Sequence, residues 1–151
     1  MKKDSSSLLL PDVNVLLALA WPNHQFHAAA VHAMQNKRSR WATCALTQLG
    51  FLRLSSNPAV IPGAKSPGEC AALLEAMVSD PLHVYLDRLP SVAESTIFRG
   101  VLGYNQMTDA YLLHLARRHH AVFMTFDKRL LSLAATGQRV ELPTWCEPGA
   151  G

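Results

Sequence analysis

The feature that most constrains this chain is the alternation of short apolar runs with helical segments. Leu8-Leu9-Leu10 leads through Pro11 to Asp12, and a helical run from Val13 to Ala20 follows at once. Trp41-Ala42-Thr43 precedes a helix over Ala45 to Ser55, and Ala121 to Thr125 leads to Phe126-Asp127. His83-Val84-Tyr85-Leu86 and Val140-Glu141-Leu142 complete the strand candidates. Runs that are apolar without alternation are strands buried on both faces, and helices between them supply the cover. The pattern therefore predicts a three-layer α/β/α sandwich with a mainly parallel central sheet. In such sheets ligands bind beyond the carboxyl ends of the strands, so the residues just after each run carry the functional interest.

The remaining helices are marked by their ends. Ser66-Pro67-Gly68-Glu69 is a capping box with proline at the first helical position, opening a helix to about Val78. Ser91-Val92-Ala93-Glu94 reads as a second capping box opening another helix. Further helices are expected over His24 to Gln35, Thr108 to Arg118 and Arg129 to Ala135, with a loop from Asn57 to Ala64. His119 and His120 suit the negative end of the helix dipole before them. A chain of 151 residues, 49% hydrophobic and 17% charged, makes a single domain over 1–151 with its core at about 8–142. That composition excludes a disordered or collagen-like polypeptide.

The net charge of +3 permits a polyanionic partner without requiring one. Cys44, Cys70 and Cys146 show no metal-ligand or disulfide spacing, which fits reduced thiols in the cytoplasm. Lys2 and Lys3 before an apolar stretch look superficially like a secretion signal, but Pro11, Asp12 and Asn14 interrupt it. No apolar run reaches the roughly 20 residues that span a bilayer. Seven histidines form no HExxH or comparable pattern, and neither a phosphate loop nor a GxGxxG motif is present. Ser5-Ser6-Ser7 reads as a flexible start.

The aspartates are few, six in all, and half of them fall at telling positions. Asp12 and Asp127 end apolar runs, and Asp109 sits in the first turn of a helix. On parallel strands the first two emerge at one edge of the sheet. Three carboxylates there repel one another unless a cation intervenes, and hard ions such as Mg²⁺ or Mn²⁺ take oxygen ligands. Aspartate is also a favoured helix cap, so each one taken alone is better explained by capping.

Four segments then carry a resemblance. Pro-Asp-Val-Asn-Val-Leu-Leu-Ala-Leu (11–19), Leu-Thr-Gln-Leu-Gly-Phe-Leu-Arg-Leu (46–54), Thr-Asp-Ala-Tyr-Leu (108–112) and Met-Thr-Phe-Asp (124–127) occur in the order used by PIN-domain ribonucleases. The chain most resembles the VapC-type toxins of bacterial toxin–antitoxin pairs, from about Leu8 to Leu142. The resemblance implies a metal-dependent endoribonuclease acting on RNA with Mg²⁺ or Mn²⁺. It maps the catalytic positions onto Asp12, Gln48, Asp109 and Asp127, with the three aspartates as metal ligands. Asn14 and Thr125 match supporting polar positions. Arg53, Lys128 and Arg129 are candidates for contact with RNA phosphates. The resemblance further implies a cognate antitoxin and a homodimer, for which the apolar surface of Val13 to Trp21 and Ala28 to Met34 is available.

Gln48 departs from the glutamate usual at its position. Its loss of one negative charge predicts weaker metal binding and slower cleavage. Natural attenuation, a divergent clade using another acid such as Glu94, and deliberate substitution all accommodate it. A catalytically weak PIN-like module that binds RNA or an antitoxin is the competing reading.

Overall fold

The computed structural model describes residues 7–37, 39–134 and 138–143. The expectations for Lys2, Lys3, Ser5, Ser6, Ala135 and Cys146 lie outside the described residues. Five short strands form one sheet: β1 (Leu9–Pro11), β2 (Trp41–Cys44), β3 (His83–Leu86), β4 (Val122–Met124) and β5 (Val140–Glu141). Their order is β3-β2-β1-β4-β5, and every pairing is parallel. The register sets Leu9 opposite both Trp41 and Val122, and Pro11 opposite Met124.

Five helices connect and cover the strands: α1 (Val13–Ala20), α2 (His27–Lys37), α3 (Ala45–Ser55), α4 (Pro67–Val78) and α5 (Met107–Arg118). Successive strand residues point to opposite faces, and the core divides accordingly. Leu9, Trp41, Val122 and Met124 pack with Val15, Leu16, Ala30, Phe51 and Leu74 from α1 to α4. Leu10, Ala42, Cys44 and Phe123 pack with Leu112, Leu113, Leu115 and Ala116 of α5. Two cores separated by one sheet make the three-layer α/β/α arrangement that the apolar runs predict.

Several boundaries differ from the sequence-based expectation. The stretch after Trp21 turns twice before α2 begins at His27, because Pro22 and Asn23 favour a turn and His24 Nδ1 accepts the Phe26 amide at 3.0 Å. Ser66 caps α4 as expected: its hydroxyl accepts the Glu69 amide at 3.3 Å, while Glu69 Oε2 accepts the Ser66 amide at 2.9 Å. Ser91 opens no α-helix. Its hydroxyl accepts the Ala93 amide at 3.1 Å, closing a local turn, and only a short 3-10 segment over Ser95–Phe98 follows. Among Ser95–Phe98 only Ile97 is buried, so no apolar stripe sustains a longer helix there. The helix expected over Arg129 to Ala135 is likewise a 3-10 segment, Lys128–Ser132. No helix among the described residues is long and apolar enough to cross a membrane.

Candidate active site

The order in which strands are added reverses beside β1, while all of them run parallel. Strands β2 and β3 extend to one side of it, β4 and β5 to the other. That reversal opens a crevice between the carboxyl ends of β1 and β4, where α/β sheets take their ligands. Asp12 follows β1 directly and caps α1, its Oδ1 accepting the Val15 amide at 3.2 Å. Thr125 follows β4, is fully buried, and donates its hydroxyl to Asp12 Oδ2 at 2.6 Å. The same hydroxyl oxygen accepts the Asp127 amide at 3.1 Å. One threonine thus ties together the two aspartates that end neighbouring strands.

Burial raises the pKa of Asp12 despite these hydrogen bonds, with a further push from the charge of Asp127. Asp109, in the first turn of α5, is half-buried. Its pKa is raised to about 6 by burial first, then by the charges of Asp12 and Asp127. Asp127 moves the other way, because Arg129 holds its carboxylate below the usual range. The Arg129 guanidinium donates to Asp127 Oδ2 from Nη2 at 2.8 Å and to Oδ1 from Nε at 3.0 Å.

A cavity of about 580 Å³ lies at this crevice, with Asp12, Asn14, Thr108 and Asp109 on one side and Gly50 and Arg53 of α3 on the other. The helices meet closely: a methyl group on Gly50 would stand 2.7 Å from Val13 Cγ2. Asn14 and Arg53 are exposed at the cavity, while Asp12 is 5% exposed at its base. Lys128 lies apart, lining a different cavity with Phe26 and Phe126. Gln48 does not line the acidic cavity either. Leu46, Leu49, Gly50 and Arg53 present one face of α3 to it, and Gln48 falls roughly half a turn away. Its amide Nε2 donates to Thr43 Oγ1 at 3.0 Å, and that hydroxyl faces His83 Nε2 at 2.7 Å. The charge of Glu94 acts on Tyr111 and His114, not on the aspartates.

Among the described residues, no three His, Cys, Asp or Glu side chains stand close enough to enclose an ion as they are. The donor chemistry nevertheless fits a hard divalent cation. Two carboxylates with raised pKa values and an exposed amide face one cavity, and such ions are commonly held by one or two carboxylates plus water. The sequence signals missed Thr108 and the Thr43–His83 pair. Thr108 sits beside Asp109 in the quoted motif, but nothing in the spacing links His83 to Gln48.

The PIN domain model matches residues 9–135. The chain is 39% identical over 137 residues to Ribonuclease VapC38 of Mycobacterium tuberculosis, covering 90% of this chain and 95% of the relative. It is 37% identical over 131 residues to Ribonuclease VapC44 of the same species, covering 85% of this chain and 92% of that protein. Among solved structures, the VapBC2 complex of Rickettsia felis bound to a promoter DNA fragment superposes with a TM-score of 0.59 at 11% identity. It covers 89% of this chain and 98% of the matched one. FitAcB of Neisseria gonorrhoeae superposes with a TM-score of 0.52 at 16% identity, covering 89% and 97%. These structural matches concern the fold, and the sequence matches concern descent. The chain belongs to the PIN-domain family, as a member of its VapC-type branch.

Proposed function

We propose that this protein is a metal-dependent endoribonuclease, the toxin of a toxin–antitoxin pair, which cleaves RNA phosphodiester bonds in the cavity between Asp12 and Asp109. The observation that carries the reading is the pair of carboxylates with raised pKa values at the crevice between β1 and β4. Relatives named ribonucleases, matched over most of the chain, support the substrate class. The VapBC neighbour supports an antitoxin as partner. Mg²⁺ or Mn²⁺ is the cofactor, the cytoplasm is the compartment, and the working state is a homodimer.

Asp12 and Asp109 would hold the ion, with Asp127 joining when Arg129 releases it. When bound, the divalent ion supplies Lewis acidity and neutralises charge that develops on phosphate oxygens. Thr125 keeps Asp12 oriented, since its hydroxyl holds Oδ2 while the Val15 amide holds Oδ1. Asp109 gives up its proton at about pH 6, so ion binding weakens as acidity rises through that value. Arg53, exposed at the cavity, is placed to meet an incoming phosphate.

The test is cleavage of a defined RNA in Mg²⁺ and Mn²⁺ by the wild type, Asp12→Asn and Asp109→Asn. Loss of about 100-fold or more in rate is expected for each variant, the scale of removing a group that stabilises transition-state charge. Undiminished cleavage by both would overturn the assignment. A non-cleaving binding module is the competing reading. It drew its weight from Gln48, which lies outside the cavity.

A further inference from the structure

A second cavity of about 380 Å³ lies on the other side of α5. Thr108, Asp109 and Leu112 face the acidic cavity, whereas His114 and Arg117 sit roughly half a turn round the helix. Across from them the segment after β3 contributes Thr96, Ile97 and Arg99. Both arginines are exposed. The proton on His114 can be located by elimination. Its Nδ1 faces Arg117 Nη2 at 3.4 Å, and a guanidinium only donates, so Nδ1 is the acceptor. The imidazole proton therefore sits on Nε2, which is buried and has no hydrogen-bond partner.

Burial and the charge of Arg117 lower the pKa of His114, so the ring is neutral at pH 7. Glu94 opposes that shift, and Arg118 reinforces it. The cavity is thus lined by two guanidiniums and by His114, whose stranded N–H lies buried behind that lining. An unmet buried donor is costly, and a ligand rich in acceptor oxygens answers it. A planar carboxylate offers two oxygens in one plane. A tetrahedral phosphate offers oxygens in several directions, matching donors that approach from two chain segments.

We propose that Arg99, Arg117 and His114 form a phosphate-binding notch that seats a phosphodiester of the RNA strand outside the cleavage cavity. Its assignment to an RNA strand rests on the ribonuclease reading; its affinity for phosphate does not. A small turn of the His114 ring brings Nε2–H to the seated oxygen. The bound charge then favours the imidazolium and raises the pKa of His114.

Imidazole NMR spectra of the EDTA-treated full-length protein, titrated with inorganic phosphate at constant ionic strength, test the notch. A saturable shift of His114 Nε2 and a rise in its pKa are expected. Arg99→Gln and Arg117→Gln should each weaken phosphate affinity by about fivefold or more, the loss of one charge-assisted contact. No His114 response at millimolar phosphate, or wild-type affinity in both variants, overturns the notch. Anisotropy of a labelled oligoribonucleotide, also in EDTA so that nothing is cleaved, tests the strand. Each variant should bind it more weakly, with the salt slope reduced by about one. A phosphate response with unchanged RNA binding overturns the seat for a strand and leaves a site for free phosphate groups. Absence of cleavage in Mg²⁺ and Mn²⁺ with both binding arms intact overturns the ribonuclease reading alone.

Discussion

Gln48 shows how a residue's type can be legible while its direction is not. The motif order places it at a position that usually carries a glutamate, and a lost charge then predicts attenuation. Direction depends on which side of α3 faces β1, and that is decided by Val13 packing on Gly50 and by Phe51 entering the core. In the fold, Gln48 instead ends a chain of hydrogen bonds. Its amide donates to Thr43, and the Thr43 hydroxyl is then free to donate to an unprotonated His83 Nε2. Burial keeps His83 below its ordinary pKa, with Asp80 opposing, which agrees with a neutral ring accepting that proton. Gln48→Glu reverses the chain, because a carboxylate only accepts. Thr43 must then donate to it, and His83 must donate to Thr43. A rise in the His83 pKa is expected, read from its ring shifts in an NMR titration. Mn²⁺ affinity by calorimetry should stay within about twofold, since no new charge enters the cavity. Tenfold tighter Mn²⁺ binding would return position 48 to the metal site. Asp12 stands at the carboxyl end of β1 as its place in the sequence implies, because a residue directly after a buried strand has little choice of direction.

Helix and strand identities were legible wherever burial and capping agreed. The range of α1 and that of α3 follow from apolar runs with clear ends, and Ser66 with Glu69 forms the capping box its spacing implies. The same spacing failed at Ser91, where the residues beyond it bury too little to hold a helix and the hydroxyl closes a turn instead. The end of α5 hid a different feature. His119 and His120 look like dipole partners, yet His120 adopts φ 52°. The Ala121 amide returns to the Ala116 carbonyl at 2.8 Å, and the His120 amide to that of Arg117 at 3.2 Å. This pairing is a Schellman motif, whose left-handed residue is ordinarily glycine. A histidine there accepts a steric penalty that glycine lacks. His120→Gly should therefore stabilise the fold by about 0.5–1 kcal/mol, seen as a higher midpoint in urea with an unchanged slope. Lower stability would show that the His120 side chain makes contacts worth more than the strain.

At the scale of the whole molecule, the parallel sheet gathers negative charge at one edge, and stability is the cost of that function. The three aspartates stand far apart in sequence, but the reversal between β1 and β4 and the start of α5 bring their fields together. Asp109 bears the consequence. Its pKa rises from 3.8 to about 6 in the fold. A carboxylate whose folded pKa is raised favours the folded state while protonated, and that preference is lost as pH rises through the folded value. Between about pH 4 and 6 the folded protein therefore binds the extra proton, and above about pH 6 the ionised group weighs against folding. Replacing it with asparagine removes the charge and keeps the shape. In EDTA at pH 8, Asp109→Asn should be more stable than the wild type by about 1–2 kcal/mol, after allowance for the solvent that reaches a half-buried group. The gain should shrink as pH falls from about 6 toward 4, where the wild-type carboxyl is itself neutral. A saturating divalent ion should reverse the order, because it stabilises the charged site and has less to bind in the variant. Thermal unfolding at pH 8 and pH 4.5, with EDTA and with Mn²⁺, reads all of these differences. A variant no more stable at pH 8 without metal would mean that Asp109 is relieved by another partner, and the site would not be poised to gain a cation.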